Sequence, residues 1–239
     1  GISELYDYYK IILENLFPDK HQIFNEINIL FQRIKFFLEN NKSPNHSFVY
    51  DQVVTYGEII STTIINSFLV HNNIESVWLD ARDCIKTDSN YRGGNIQWAE
   101  TQKNILNKIQ KEKINVTQGF IGSDKNNFST SLGREGSDYS AAIFAYSLNS
   151  ESVTIWKDVP GVLNGDPKVF NNPKLLDQIS YSEAIELAFY GASVIHPKTL
   201  QPLQKKEIPL YVKSFLDPDG NGTRISKGLD LEPKVPCFI

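Results

Sequence analysis

Short apolar segments bounded by polar turns alternate with longer amphipathic ones along most of this chain, and that alternation constrains its fold more than any other feature. "SVWLDA" (76–81), "INVTQGFIG" (114–122), Val153 to Trp156, "VIHP" (194–197) and "IPLYVKSF" (208–215) read as strands. Helical periodicity fills the stretches between them, at 53–70, near 97–111, from about 138, and after Ser180. Strands alternating with helices predict an α/β fold with a mainly parallel sheet covered on both faces. No internal repeat or low-complexity segment interrupts the pattern.

Residues 3–40 read as helical. Ile23, Ile27, Leu30, Phe31, Ile34, Phe37 and Leu38 recur at three- and four-residue steps, an apolar stripe that packs on the rest of the protein or meets a partner. "ENNKSPNHS" (39–47) marks a loop, and 53–70 resumes as helix with Ile60, Ile64 and Phe68 on one side. Ser180 and Glu183 have capping-box spacing, and Gly191 can end the helix they begin.

With 239 residues and 41% hydrophobic content, the chain can bury a large core, as one α/β domain or two lobes sharing a sheet. A net charge of −4 gives no reason to expect nucleic acid or an anionic membrane as partner. Cys84 and Cys237 have no metal-ligand spacing and read as reduced thiols. No apolar run approaches the roughly 18–20 residues of a membrane span, and no signal peptide opens the chain, so a cytoplasmic location is expected. Methionine is absent, even at position 1, which reads as a fragment of a longer protein.

In open parallel sheets, ligands bind at the carboxyl ends of strands, in loops leading into helices. "SLGREGSDYSAAIFAYSL" (131–148) occupies such a place. Ser137 or Asp138 can cap the helix, leaving N–H groups turned toward an anion, and Arg134 offers a planar fork for a carboxylate or phosphate. The alternative is a turn in which Arg134 and Asp138 simply neutralise each other. "WKDVPGVLNGDPKV" (156–169) is a second candidate: Asp158 follows a strand, Pro160 and Gly161 suit a type II turn, and Asp166 with Pro167 marks another. These groups can hold a ribose or a metal-bound polyphosphate, or form an ordinary surface turn. In "TYGEIIST" (55–62), Gly57 permits close approach of a ligand and Glu58 is a carboxylate near a helix start, where it is a dipole partner or a seat for an ammonium group.

His196 precedes Pro197 and reads as structural, and no pair of histidines has metal-ligand spacing, so no protein-held metal is expected. The chain contains neither G-x-x-x-x-G-K-[ST] nor G-x-G-x-x-G.

"GFIGSDKNNFSTSLGREGSDYSAAIFA" (119–145), "WKDVPGVLNGDPKV", "ISYSEAIELAFYGASVIHPKTLQPL" (179–203) and "GTRIS" (222–226) occur in the order and approximate spacing of the aspartate kinase (aspartokinase) family, and "YGEIIST" resembles that family's upstream substrate-binding helix. The resemblance runs through about 53–226 and implies the amino acid kinase fold, a three-layer αβα sandwich around a mainly parallel sheet. It further implies transfer of the ATP γ-phosphoryl group, with Mg2+, to the β-carboxylate of L-aspartate, giving 4-phospho-L-aspartate for lysine, threonine and methionine biosynthesis. By the same resemblance Arg134 grips a substrate carboxylate, Asp138 and Glu58 receive its ammonium group, and Ser137 belongs to that loop. Asp158, Gly161, Asp166, Lys168 and the position of Ser193 belong to the nucleotide site.

Domain organisation implied by the family is a truncated N-terminal lobe at 1–115 on the amino-acid side, a lobe at 116–230 carrying the substrate loop and nucleotide site, and a linker at 231–239 toward absent regulatory domains. A homo-oligomer is implied for the full-length protein. Departures from the family are specific. No Lys-Phe-Gly-Gly-Thr segment is present, Ser193 stands where many members have lysine, Leu163 where many have tyrosine, and Lys168 where arginine is frequent. Lys157 replaces a frequent threonine. With two cationic phosphate contacts gone, the chain alone is expected to be weakly active at best. Other readings are another amino acid kinase, acting on glutamate, acetylglutamate, carbamate or a nucleotide, and a degenerate homologue that binds ligand without catalysis.

Overall fold

The computed structural model describes residues 1–189, 194–228 and 230–237. The chain divides into two compact units, Gly1–Gly136 and Ser137–Ile239.

In the first unit, α1 (Ile2–Leu16), α2 (Ile23–Asn40) and α3 (His46–His71) come first. The helical reading of 3–40 is thus two helices. Phe17 is extended, with φ −133° and ψ 149°, because the ring of Pro18 disfavours the helical conformation for the residue before it. Ile23, Ile27, Phe31 and Ile34 of the α2 stripe are buried with Leu13 and Phe17 from the α1 end and Ile60 and Ile64 of α3. Each such side chain contributes about 1.5–3 kcal/mol on burial. Leu38, at the end of the stripe, is exposed.

Asn45 caps α3, its side chain accepting from the Phe48 N–H at 3.1 Å. This helix therefore starts earlier than the expected 53. It is also long and apolar enough, by length and composition, to cross a membrane, which corrects the reading that no run approaches that length. Here its Ile59, Ile60 and Ile64 are buried in core clusters of the first unit.

β1 (Ser76–Leu79) and β2 (Ile114–Thr117) form a parallel pair in register Ser76↔Ile114 to Leu79↔Thr117, with the short α4 (Ala81–Cys84) and α5 (Trp98–Lys108) between them. The strand expected over 114–122 is broken. Phe120 has a positive φ of 70°, and the chain re-enters as β3 (Ile121–Ser123), antiparallel to β4 (Ser129–Ser131).

Gln118, fully buried, sits at the break. Its Oε1 accepts from the Ala81 N–H at 2.7 Å, and its Nε2 donates to Thr62 Oγ1 at 2.7 Å. Thr62 Oγ1 also accepts from Trp78 Nε1 at 3.0 Å and donates to the Glu58 carbonyl at 2.8 Å. A polar side chain this deep is tolerated because both ends of its amide are satisfied.

The second unit is built on a mixed sheet of order β5-β7-β8-β6, from β5 (Val153–Lys157), β6 (Gln178–Ser180), β7 (Leu210–Ser214) and β8 (Thr223–Ser226). β5 and β7 are parallel, as are β6 and β8, while β7 and β8 are antiparallel. Val153 and Ile155 of β5 alternate inward with Leu210 and Val212 of β7, in one cluster with Ala142 and Ala145 of α6 (Gly136–Leu148).

α7 (Tyr181–Phe189) opens with the expected capping box: Ser180 N donates to Glu183 Oε2 at 2.7 Å, and Glu183 N donates to Ser180 Oγ at 3.2 Å. Gly191 and Ser193 lie outside the described residues. "VIHP" is not a strand. His196 instead caps α8 (Pro197–Lys206), its Nδ1 accepting from Lys198 N at 3.1 Å, and Pro197 takes the first helical position, where its missing N–H costs nothing.

Candidate functional site

The loop 131–136 is positioned from beneath. Asp51 of α3 is fully buried. Its Oδ2 accepts from the backbone N–H groups of Arg92 and Ser131, each at 2.8 Å, and its Oδ1 accepts from Ser131 Oγ at 2.7 Å. Beyond Ser131 the chain turns twice through positive φ, at Gly133 (78°) and Glu135 (52°), and Arg134 between them is exposed. Gly136 is required by space: a Cβ there would lie 2.7 Å from Phe120 Cδ2 and 3.2 Å from Leu132 Cβ.

Because α6 begins at Gly136, Ser137 and Asp138 occupy its first turn and do not cap it, contrary to the sequence reading. An acid in this turn is favoured by the helix dipole. Asp138 has a further partner: its Oδ2 lies 2.9 Å from the Nζ of Lys157, with side-chain exposures of 16% and 24%. Lys157 is the last residue of β5. The first turn of α6 and the carboxyl end of β5 thus face one another through a shielded ion pair. A cation paired with Asp138 in the second unit is thus Lys157.

Asp158 follows directly and is exposed. Gly161 has φ +152°, away from the roughly +80° of a type II turn, so that expectation is corrected. Its glycine serves close packing, since a Cβ would meet Thr223 Oγ1 at 2.5 Å and Leu175 Cδ1 at 2.8 Å. Thr223 Oγ1 accepts from Val162 N at 2.8 Å and donates to the Leu176 carbonyl at 2.6 Å, which fastens this segment to β8. Asp166 organises the next turn. Its Oδ1 accepts from Lys168 N at 2.8 Å, its carbonyl accepts from Val169 N and Phe170 N, and Lys168 is left exposed.

Glu58 stands inside α3, well past its start, so the helix dipole does not explain it. It is half-buried, and burial raises its carboxyl above the ordinary glutamate value. A Cβ at the neighbouring Gly57 would meet nothing within 4 Å, so that helix face is open.

Sequence reasoning passed over two cations. In the sequence Lys157 stands out only as a departure from the family, and Lys198 carries no motif of its own. Lys198 Nζ lies 4.6 Å from the ring centroid of Tyr139, the residue after Asp138, and burial lowers its pKa. The available signal was its place after His196-Pro197, in the first turn of a helix. Among the described residues no group of three or more His, Cys, Asp or Glu could hold a metal ion.

The chain is similar to known proteins along most of its length. The chain is 34% identical over 227 residues to the lysine-sensitive aspartokinase 3 of Escherichia coli (strain K12), an alignment covering 93% of this chain and 50% of that protein. It is 37% identical over 175 residues to the bifunctional aspartokinase/homoserine dehydrogenase of Buchnera aphidicola subsp. Acyrthosiphon pisum, covering 72% of this chain and 21% of that one. The chain therefore spans half the length of the first relative and about a fifth of the second. The crystal structure of E. coli aspartokinase III in complex with aspartate and ADP superposes with a TM-score of 0.86 at 33% identity, over 95% of this chain and 52% of that one. The likeness shows the amino acid kinase fold, an α/β architecture. With the model of the amino acid kinase family matching residues 14–214, the chain belongs to that family.

Proposed function

We propose that the chain is the catalytic domain of an aspartate kinase, which transfers the γ-phosphoryl group of ATP to the β-carboxylate of L-aspartate. The observation that carries the reading is the helix-start acid Asp138 held against a cation at the end of β5, directly after a Gly-Arg-Glu-Gly loop. Such a place suits a zwitterionic substrate: a carboxylate for its ammonium group and a guanidinium for its carboxylate. The similar E. coli enzyme was solved with aspartate and ADP, the same two ligand classes.

In this proposal Arg134 grips a substrate carboxylate, Asp138 and Glu58 receive the ammonium group, and Ser137 contributes from the same loop. Asp158, Gly161, Asp166 and Lys168 serve the nucleotide side, and Ser193, outside the described residues, is assigned to it by the family resemblance alone. Functionally, 1–115 is the amino-acid side, 116–230 carries the substrate loop and nucleotide site, and 231–239 leads toward regulatory domains. The full-length protein acts as a homo-oligomer.

The donor set suits Mg2+ and ATP. Magnesium takes one or two carboxylates together with phosphate oxygens, and Asp158 is an exposed carboxylate, with the exposed ammonium of Lys168 available to phosphate. Bound Mg-ATP supplies the phosphoryl group and neutralises charge on its oxygens. The residues of this chain orient: Arg134 fixes one end of the substrate, and Asp138 with Glu58 fixes its amino group, so that the remaining carboxylate is presented. That carboxylate is already ionised at neutral pH and is itself the nucleophile, so no general base and no covalent enzyme intermediate is required.

Calorimetric titration with L-aspartate and with Mg-ADP tests this. Loss of a charge-assisted contact in Arg134→Ala should weaken aspartate roughly 10- to 100-fold while leaving Mg-ADP unchanged. Aspartate binding with the same affinity to the folded variant would remove Arg134 from the site.

A further inference from the structure

Among the described residues, Asp138 is the carboxylate within ion-pair distance of Lys157, at 2.9 Å, and the pair is shielded, with exposures of 16% and 24%. On β7, the residue in register with Lys157 is Ser214, which carries no charge. The Lys157 stem leaves the end of β5, and its ammonium reaches the first turn of α6. A lysine ε-ammonium and an amino-acid α-ammonium present the same charge and the same three N–H donors. Both seek the same oxygens.

We propose that Lys157 is a tethered competitor for the ammonium seat at Asp138 and thereby sets how strongly this chain prefers an α-amino dicarboxylate over one without the amino group. The inference rests on the reading of Asp138 as the ammonium seat. With no substrate bound, Lys157 neutralises the charge of the carboxylate. An incoming amino acid must displace it, which lowers affinity. A dicarboxylate lacking the amino group, such as succinate, meets an Asp138 already neutralised and escapes the repulsion that an uncompensated carboxylate would impose. Lys157 is therefore a specificity-determining residue that acts through Asp138, without itself touching the substrate.

The test is titration of the chain and its Lys157→Met variant with L-aspartate and, separately, with succinate. Worked from a partly exposed ion pair, removal of the competitor should tighten aspartate about two- to five-fold and weaken succinate by a similar factor. The preference for aspartate then rises about ten-fold. Lys157→Arg, which keeps the cation, should stay near the parent ratio. Lys157→Thr, well suited to a strand end, serves if the methionine variant does not fold. A preference that stays constant in Lys157→Met or Lys157→Thr, while Asp138→Asn still weakens aspartate, would overturn the role of Lys157 and leave Asp138 as the ammonium seat. Aspartate affinity unaltered in Asp138→Asn would overturn that seat and the competitor with it.

Discussion

Removing the Asp51 side chain should be among the most damaging single substitutions in the first unit. Asp51 is fully buried, and its carboxylate is the acceptor for two backbone N–H groups and one hydroxyl. In Asp51→Ala the Ser131 hydroxyl can rotate to seek another acceptor, but the Arg92 and Ser131 amides cannot. Each buried donor left without a partner costs about 1–3 kcal/mol, so the loss should be about 2–6 kcal/mol. That is a large part of a domain's usual stability of about 5–15 kcal/mol. Asp51→Asn keeps the shape and one oxygen. With that oxygen toward the two amides, only the hydroxyl contact must be remade, and the cost falls to about 1 kcal/mol. Urea unfolding followed by tryptophan fluorescence measures both, since Trp78 lies in the same unit and donates to Thr62. Hydrogen exchange at the Arg92 and Ser131 amides should accelerate in the alanine variant. An Asp51→Ala protein within about 1 kcal/mol of the parent would refute the reasoning, because it would mean that the two amides are satisfied without the carboxylate.

Burial raises the Glu58 carboxyl, so in the fold its neutral form is favoured. Its contribution is therefore fully present below the ordinary glutamate pKa and is lost as pH rises through the elevated one. Glu58→Gln should match or exceed the parent in melting temperature at pH 7, with the difference gone near pH 4, and a stability loss at pH 7 from this substitution would contradict the assignment. Cys84 is fully buried and its thiol is pushed up to about 11, whereas Cys237 is half-buried. Iodoacetamide at pH 8 should label Cys237 first and reach Cys84 only on unfolding, as peptide mass mapping would show; early labelling of Cys84 would refute that order.

Segments whose pattern is set locally were legible from sequence. The Ser180–Glu183 capping box, the α2 stripe and β5 with its alternating Val153 and Ile155 all rest on contacts within a few residues or on simple periodicity. The errors share another cause. Gly161 looks like a turn residue by its neighbour Pro160, yet what requires it is Thr223 on β8, far along the chain. "VIHP" has strand composition, but the His196 side chain is used to cap α8. A helix read as resuming at 53 puts Glu58 near its start, while the cap that begins α3 is Asn45. The Asp138 partner was not legible at all, since Lys157 meets it only once α6 and β5 are brought together. Local chemistry can be read along a line, and a partner supplied by folding cannot.

The buried amide at the break after β2 bears on how the first unit avoids misassembly. The β1–β2 ladder is only four pairs long, a length at which a slip by one residue would lose little backbone pairing. Such a slip would put Thr117 or Gly119 where Gln118 now meets the Ala81 N–H and Thr62 Oγ1. Glycine has no side chain to offer, and the threonine hydroxyl is too short to bridge both partners at once. The amide also has a donor end and an acceptor end, so it recognises direction as well as distance. Gln118 thus works as a key cut for a single lock: the strands can close in their native alignment, and neighbouring alignments are rejected by stranded polar groups in the interior.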